Sequence, residues 1–207
     1  ETSAGRIATR TVVVAAGYRS RQLVGPLGFD LPLTPIRHDI AVVGRSADFG
    51  PPHPIISDRI NGSYFRPEGE DMTLIGTTAA HEGHEDPEVE RTREPYLEDT
   101  ETLVERFWRR FPGQDGATLR KGNTGVYACS PELQPKLGPV PQVPGLHVAA
   151  GFSGHGFKLS PAVGEMMAET ILDGRTSLVD IAFFDPCRFA KGQPIRPQRA
   201  YSVGTLG

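Results

Sequence analysis

The chain has 207 residues, of which 38% are hydrophobic and 23% are charged, and its formal net charge at pH 7 is −3. This length predicts one domain, or one and a half, with a real hydrophobic core. The small negative charge gives no reason to expect nucleic acid or an acidic membrane as a partner, and no apolar run reaches the roughly 18 residues that a membrane helix needs. The two cysteines form no C-x-x-C pair, which predicts a reducing compartment and a cytoplasmic protein.

The first predicted element is a buried parallel strand close to the start of the chain. Val12 to Ala16 is apolar on both faces, as the strands of parallel sheets are when helices cover both sides. Gly17 then permits a turn at the carboxyl end of the strand, which is where open α/β sheets bind ligands. From periodicity alone, a core strand with no ligand is an equal alternative.

The middle of the chain predicts an antiparallel meander followed by one long helix. Short apolar runs are separated by Asn-Gly and Glu-Gly turns at residues 61–62 and 68–69, so neighbouring strands are expected to pair without a crossover helix. Over residues 97–111, apolar side chains recur at helical spacing, and a Pro-Gly pair ends the pattern. The aromatic stripe of this helix, which includes Phe107 and Trp108, is interpreted as core packing and not as a cofactor site.

His81 and His84 stand close together beside carboxylates, and this composition raises the alternative of a zinc site. Their order is H-x-x-H-E, which is neither the H-E-x-x-H pattern of zinc peptidases nor its inverse. Gly83 lies between them, and an Asp-Pro pair directly afterwards predicts a helix start. A solvated loop is therefore favoured, and a metal-dependent hydrolase that uses His81 and His84 is the weaker enzymatic alternative.

The most distinctive stretch is residues 146–174, which predicts a strand, a glycine-rich turn and a helix. LHVAA has strand character and GFSGHG supplies the turn, while Ser160 and Pro161 predict the helix start through a hydroxyl cap and a proline at the first helical position. Gly174 predicts the helix end. The P-loop pattern fails because Phe157 follows the last glycine, and the dinucleotide fingerprint fails because the glycines are spaced G-x-x-G-x-G. On spacing alone, a glycine-rich connection without a ligand is an equal alternative.

The string GFSGHGFKLSPAVGE resembles the C-terminal flavin-contacting segment of the D-amino-acid oxidase superfamily of FAD-dependent oxidoreductases, and within it the sarcosine oxidase and glycine oxidase-like enzymes. The resemblance implies that FAD is the cofactor and that backbone amides of this segment face the pyrimidine end of the flavin ring. VVVAAG resembles the strand whose Ala-Gly end passes near the dinucleotide, and YRSRQLVGPL resembles the short helix that follows it, beginning at Ser20. The cofactor-binding residues that the resemblance implies are Ala16, Gly17, Gly151, Phe152, Ser153, Gly154, His155, Gly156, Phe157 and Lys158.

The same resemblance assigns the candidate catalytic residues. Lys158 is implied to hold the substrate carboxylate, His155 to polarise or pack against the ring edge, and Tyr64 and Tyr127 to shape the amine pocket. A purely structural role is an equal alternative for His155. A nucleophilic triad is not supported, because Ser153 and His155 are too close in sequence to face each other usefully.

Particular positions separate the branches of the superfamily. GVYACSPELQPKLGPV resembles the strand and turn that return to the flavin, and it has Tyr127 where amino-acid and glycine oxidases carry a substrate-binding arginine, which favours the sarcosine oxidase-like branch. Gly125 occupies the place of the cysteine that attaches flavin covalently in part of that branch, so non-covalent FAD is expected. Residues 73–76 lack the oxygen-activating lysine of monomeric sarcosine oxidases, which leaves room for a dehydrogenase with another electron acceptor. NGSYFRPEG resembles the strand pair that roofs the flavin, and packing at the sheet surface is the favoured role for at least one of Tyr64 and Arg66.

The expected fold class is mixed α/β, with an incomplete FAD-binding Rossmann-like domain and an antiparallel-sheet substrate domain. The expected boundaries are residues 1–30 for the end of the FAD-binding domain, 31–140 for the substrate domain, and 141–207 for the return to the FAD-binding domain, which ends in a basic tail from Arg188. The sequence has no G-x-G-x-x-G on a βαβ unit. The chain is therefore expected to be the C-terminal half of such an enzyme, with a missing N-terminal half or a partner chain holding the adenosine and pyrophosphate.

The expected function is oxidation of the C–N bond of a small amine or N-methyl amino acid such as sarcosine, by hydride transfer to FAD. Without the dinucleotide segment, the isolated chain is expected to bind FAD weakly or to be inactive. The competing interpretation is a catalytically incomplete substrate-domain fragment that acts only as a structural or interaction module.

Overall fold

The computed structural model describes residues 3–78, 83–85 and 95–196. The chain divides into two compact units. The first unit comprises Glu1–Thr34 and Ala128–Arg199, and the second comprises Pro35–Tyr127 and Ala200–Gly207.

The described residues contain nine strands and three α-helices, which are numbered in chain order. The strands are β1 Val12–Val14, β2 Thr34–Gly44, β3 Ile56–Asp58, β4 Ser63–Glu68, β5 Met72–Thr77, β6 His84–Glu85, β7 Thr118–Cys129, β8 Lys136–Pro139 and β9 Leu146–Ala150. The helices are α1 Ser20–Val24, α2 Leu97–Arg110 and α3 Gly156–Asp173.

The first unit is built on a three-stranded mixed sheet with the order β1-β9-β8. β1 and β9 are parallel, which confirms the predicted parallel strand, whereas β8 and β9 are antiparallel. Val14 and Val148 belong to a buried cluster that also contains Val24 of α1. The prediction that β1 is buried on both faces was wrong, because Val12 and Val13 are 46% and 43% exposed and only Val14 enters this core.

The predicted strand, glycine turn and helix are present in the first unit, but the helix begins earlier than predicted. α3 starts at Gly156 with His155 at the N-cap position, so the prediction that Ser160 caps the helix was wrong. Pro161 lies inside the helix, where its missing N–H leaves the carbonyl of Phe157 without its usual backbone donor. The Ser160 hydroxyl donates to that carbonyl at 2.9 Å, which explains how the helix accommodates a proline.

The second unit contains most of an antiparallel sheet with the order β3-β4-β5-β2-β6, and β7 also pairs with β2. The predicted meander is confirmed, because β3, β4 and β5 follow one another in sequence and pair directly. One face of the sheet packs against α2, where Leu103 and Phe107 contact Phe65 and its neighbours. The core prediction was wrong for Trp108, which is exposed and donates its indole N–H to the carbonyl of Gln114.

The mixed α/β fold class with an antiparallel sheet is confirmed. The basic tail predicted from Arg188 starts later than predicted, because Arg188 itself is buried. Within the part of the chain that the structure describes, no helix has both the length and the apolar character needed to cross a membrane.

Candidate functional site

The carboxyl ends of β1 and β9 lie side by side in the first unit. The two strands are parallel, with Val14 opposite Val148, so the residues that follow each strand emerge at the same edge of the sheet. Ala16 and Gly17 come shortly after β1, and Gly151 comes directly after β9. The structure therefore brings together the two stretches predicted to bind the cofactor, at the edge where α/β sheets bind ligands.

Both chain segments turn at this edge through left-handed backbone conformations. Gly17 has a φ of +57°, and Gly151 and Gly154 have φ values of +74° and +92°, a region that favours glycine because a Cβ atom is crowded there. Apart from its two chain neighbours, no described residue has an atom within 4 Å of the position that a Cβ would take at Gly17, and Gly154 is exposed. The backbone is therefore open to a ligand at these two residues, whereas Gly151 faces Leu33 and Ser130.

Ser153 holds the glycine-rich loop from the inside. Its side chain is buried and its φ is +51°, a conformation that costs a residue other than glycine about 1–3 kcal/mol and persists only where neighbours fix it. The hydroxyl donates to the Gly151 carbonyl at 3.1 Å and accepts from the Ser130 N–H at 3.2 Å. The Ser153 N–H donates to the carbonyl of Ala128 at 3.1 Å. The hydroxyl and the backbone N–H of Ser153, a residue predicted to bind the cofactor, therefore both hold the loop in its shape.

The first turn of α3 carries an exposed cation and an exposed aromatic ring. Lys158 is exposed, and Phe157 is 95% exposed. Gly156 packs closely on the preceding loop, since a Cβ there would lie 2.8 Å from the Phe152 side chain. The first N–H groups of a helix have no intrahelical acceptor, and the helix dipole adds positive potential. This end of α3 therefore favours an anion or an electron-rich ring edge.

His155, at the N-cap of α3, is held in its neutral form. Burial is the first cause that lowers the pKa of its imidazole, because desolvation disfavours the charged ring, and the nearby Lys158 ammonium lowers that pKa further. A neutral imidazole beside the helix start can accept a hydrogen bond or a proton.

We expect the His155 ring to titrate with a midpoint below its ordinary value of 6.5. Between the lowered pKa and 6.5 the unfolded state binds more protons than the folded state, so the contribution of His155 to stability is complete above this window and is lost as the pH falls through it. An NMR titration of the ring, assigned by comparison with His155→Gln, measures the midpoint. Lys158→Met should raise it, and a wild-type midpoint at or above 6.5 would contradict the expectation.

Tyr64 lies on the face of the second unit's sheet that is opposite α2. Its neighbour Phe65 packs in the core on the α2 side, and successive residues of a strand point to opposite faces. Tyr64 pairs directly with Gly76 on β5 and covers it, since a Cβ at Gly76 would lie 2.4 Å from the ring. Burial raises the pKa of the Tyr64 phenol, so the hydroxyl stays protonated at neutral pH and can donate a hydrogen bond.

Tyr127 has a ring partner that the sequence reasoning missed. His38 on β2 stacks against Tyr127 on β7, with ring centroids 4.3 Å apart and planes inclined by 30°. His38 is buried, and Gly83 approaches it closely enough that a Cβ there would lie 2.7 Å from His38 Nε2. The run of three polar residues, Arg37, His38 and Asp39, in the middle of β2 was the available signal.

The three rings share one face of the sheet. Ile40 pairs with Gly76, which in turn pairs with Tyr64, and His38 lies two residues from Ile40 on the same strand, so it points to the same side. The stacking contact places Tyr127 with them. Tyr64 and Tyr127 belong to the second unit, whereas His155 and Lys158 belong to the first.

Two other sets of side chains bear on function: the histidines of the zinc alternative and the two cysteines. His81, one of the two histidines of the zinc alternative, lies outside the described residues. Within residues 3–78, 83–85 and 95–196, no group of three or more His, Cys, Asp or Glu residues is placed to hold a metal ion. Cys129 and Cys187 are free, and burial raises the pKa of both thiols, which makes each a weak nucleophile at neutral pH.

A glycine-rich turn and an open helix N-terminus at the carboxyl ends of parallel strands are typical of α/β units that bind a cofactor. Residues 1–170 match the family described as FAD dependent oxidoreductase (DAO). The chain belongs to this family, which confirms the resemblance drawn from the GFSGHGFKLSPAVGE segment.

Individual relatives of the chain are also amine or amino-acid oxidoreductases by name. Glycine oxidase from Pseudomonas aeruginosa is 31% identical over 185 residues, which cover 89% of this chain and 48% of that protein. Monomeric sarcosine oxidase from a Bacillus species is 29% identical over 194 residues, covering 89% of this chain and 49% of the relative. Among solved structures, L-proline dehydrogenase from P. horikoshii matches 93% of this chain and 50% of its own length, with a TM-score of 0.81 and 26% identity. The chain thus spans about half the length of these relatives.

Proposed function

We propose that this chain supplies flavin-contacting and amine-contacting residues of an FAD-dependent oxidoreductase that oxidises the C–N bond of a small amine or N-methyl amino acid. FAD, when bound, supplies the acceptor for a hydride from the carbon next to nitrogen. The main observation behind the proposal is that Ala16–Gly17 and Gly151–Lys158 both follow strands that end at the same edge of the sheet, β1 and β9. Membership of the FAD-dependent oxidoreductase family supports it.

The residues at this edge of the sheet suit the flavin ring of FAD. The exposed backbone at Gly17 and Gly154 lets a flat ring approach the main chain. The first-turn N–H groups of α3 and the Lys158 ammonium supply positive potential for the end of the ring that gathers negative charge on reduction. The exposed ring of Phe157 adds apolar surface for a flavin. Flavin is expected to be held without a covalent bond, because glycine at position 125 offers no side chain for attachment.

The residues of the first unit are assigned roles toward the substrate, the flavin and the loop itself. Lys158 is assigned to the substrate carboxylate, because an ammonium makes strong charge-assisted hydrogen bonds to that group. His155, neutral at physiological pH, is assigned to polarising or packing against the ring edge. Ser153 shapes the loop, and the backbone of Gly151 and Gly154 lies against the cofactor.

In the second unit, Tyr64 and Tyr127 are assigned to the amine substrate. The Tyr64 phenol can donate a hydrogen bond, and its ring lies over Gly76, which has no side chain in the way. His38 is assigned to holding the Tyr127 ring through the stacking contact. A segment beyond these 207 residues, in the same polypeptide or in a partner chain, is proposed to hold the adenosine and pyrophosphate of FAD.

Lys158→Met is expected to lower kcat/KM for an N-methyl amino acid by about 10- to 150-fold, the value of one hydrogen bond between charged groups. Most of the loss should appear in KM, because the carboxylate is bound in the ground state as well. The assay uses the chain together with the segment that holds the adenosine and pyrophosphate. It adds excess FAD, sarcosine and an artificial electron acceptor, and measures the formaldehyde that the hydrolysed imine releases. Lys121→Met is the matched control, since Lys121 is an exposed lysine on β7.

Two outcomes would reject parts of this proposal. Flavin binding without any formaldehyde release, by the chain together with the segment that holds the adenosine and pyrophosphate, would reject the enzymatic role of the chain and favour the interaction module. Equal effects of Lys158→Met and Lys121→Met would reject the assignment of Lys158 to the substrate carboxylate. Replacing the artificial acceptor with O₂ then separates an oxidase from a dehydrogenase.

A further inference from the structure

Arg188 lies beyond residue 170, where the match to the FAD-dependent oxidoreductase family ends. It follows a short 3-10 helix, Ile181–Phe184, and is only 3% exposed. A buried guanidinium requires several acceptors, because its five N–H groups lose their hydration. The partners of Arg188 come from two separate stretches of the first unit.

The guanidinium of Arg188 joins the C-terminal segment to the turn between β7 and β8. Nη1 donates to the carbonyls of Phe184 and Asp185 at 3.1 and 3.3 Å, within its own segment. Nη2 donates to the carbonyl of Gln134 at 3.0 Å and forms an ion pair with Glu132. The planar fork of arginine suits contacts in several fixed directions, which the point charge of a lysine does not reproduce.

Gln134 carries the connection from Arg188 to Ser130. The Gln134 carbonyl also accepts from the Ser130 hydroxyl at 2.7 Å, and the Gln134 N–H donates to the same hydroxyl at 2.9 Å. Ser130 is buried, so water does not compete readily for its hydroxyl. These bonds close the turn over residues 130–134 and fix its shape.

From Ser130 the connection reaches the glycine-rich loop. The Ser130 N–H donates to the Ser153 hydroxyl at 3.2 Å, and that hydroxyl donates to the Gly151 carbonyl at 3.1 Å. A Cβ at Gly151 would lie 3.3 Å from the Ser130 Cβ, so the turn also packs directly against the loop. Because Ser153 holds a left-handed φ of +51°, the shape of the loop depends on these neighbours.

We propose that Arg188 is a positioning residue for the glycine-rich loop. By holding the 130–134 turn, Arg188 fixes the backbone of Gly151 and Ser153, and with it the surface that contacts flavin. Only this last step, the contact with flavin, rests on the proposed function. The hydrogen-bonded path itself lies wholly within the first unit.

Hydrogen–deuterium exchange of the purified chain without flavin tests the path. Arg188→Met is expected to speed exchange of the Ser130 and Ser153 amides by about tenfold or more, the effect of losing about one net hydrogen bond. The ladder amides of β1 and β9 should accelerate less than these two amides, because they respond only to the stability of the whole first unit. Arg196→Met is the matched control, since Arg196 is exposed. Equal acceleration throughout the first unit would show that Arg188 only stabilises the fold, and would overturn the proposal.

Flavin affinity provides the second readout. Arg188→Met and Ser153→Ala should each weaken flavin binding, and the double variant should lose less than the sum of both effects because the two residues act on one path. Strict additivity would overturn the proposal. A wild-type chain that binds no flavin even together with the segment that holds the adenosine and pyrophosphate rejects the proposed function, while the exchange rates still decide the role of Arg188.

Ser130→Ala tests the same path at a different link and replaces Arg188→Met if that variant does not fold. It removes the hydroxyl that accepts from the Gln134 N–H and donates to the Gln134 carbonyl. Faster exchange of the Ser153 amide in this variant would support the proposal, and an unchanged rate would overturn it.

Discussion

Glu132→Ala is expected to lower the free energy of unfolding of the first unit by about 3–5 kcal/mol, as when one partner of a buried ion pair is removed. The Glu132 side chain is 7% exposed, and it forms an ion pair with Arg188 and lies 3.5 Å from Nζ of Lys136. The Lys136 side chain is 0% exposed. Removing the carboxylate leaves two buried cations with only the attraction of Asp185 to balance them, which is far more costly than losing one hydrogen bond.

The stability deficit of Glu132→Ala should shrink at alkaline pH. Burial is the first cause that lowers the pKa of Lys136 and Arg188 is the second, whereas Glu132 opposes both. Without Glu132, the pKa of Lys136 in the folded state falls further. From that pKa up to the ordinary value of 10.5 the unfolded state binds more protons, so stability rises with pH across this window.

Native-state hydrogen exchange of the β8 and β9 amides measures the loss, because the single tryptophan, Trp108, lies in the second unit and does not report on the first. Glu165→Ala is the control, since Glu165 is exposed on α3 and surface substitutions usually stay within about 0.5 kcal/mol. A similarly small loss for Glu132→Ala would contradict the account of a buried charge cluster.

Gly151→Ala is expected to weaken flavin binding by about tenfold or more and to destabilise the first unit by about 1–2 kcal/mol. Gly151 has a φ of +74°, which alanine adopts only with strain. The added Cβ would also lie 3.1 Å from Cδ2 of Leu33 and 3.3 Å from the Ser130 Cβ. A loop that moves to relieve these contacts shifts Ser153 and the start of α3, where flavin is proposed to bind.

Gly164→Ala is the matched control for this change. Gly164 lies within α3, and no described atom is within 4 Å of the Cβ that alanine would add. Replacing a poor helix former should stabilise the helix by up to about 1 kcal/mol and leave flavin binding unchanged. Flavin titrations of Gly151→Ala and Gly164→Ala compare the two affinities. An equal loss of affinity in both variants would contradict the role assigned to the loop.

Local patterns in the sequence were enough to predict the elements that position the candidate site. The strand, the glycine-rich turn and the helix end at Gly174, with its φ of +72°, all follow from residues a few positions apart. The start of α3 could not be predicted in this way, because Ser160-Pro161 suits both a helix cap and a tolerated interior proline. The bond from the Ser160 hydroxyl to the Phe157 carbonyl decides between them, and it exists only once the helix has formed.

Features that depend on distant partners could not be predicted from local pattern. The sequence from Arg188 onward has the composition of a surface tail. Arg188 is nevertheless buried, and Gln134, 54 residues away, supplies an acceptor for it. The stacking of His38 on Tyr127 joins two strands that are far apart in the sequence. The exposure of Val12 likewise depends on what covers β1 and not on its own apolar character.

An amide NMR titration of the purified chain with FAD tests the central claim most directly, because shift changes identify contacting residues even when binding is weak. The account predicts that the chemical-shift changes concentrate at Ala16, Gly17 and residues 151–158, and that the amide shift of Gly164 does not change. In the Gly151→Ala variant the same changes should require a higher FAD concentration. A titration in which the amides of residues 151–158 do not move, or in which small changes spread evenly along the chain, would contradict the claim that this loop contacts flavin.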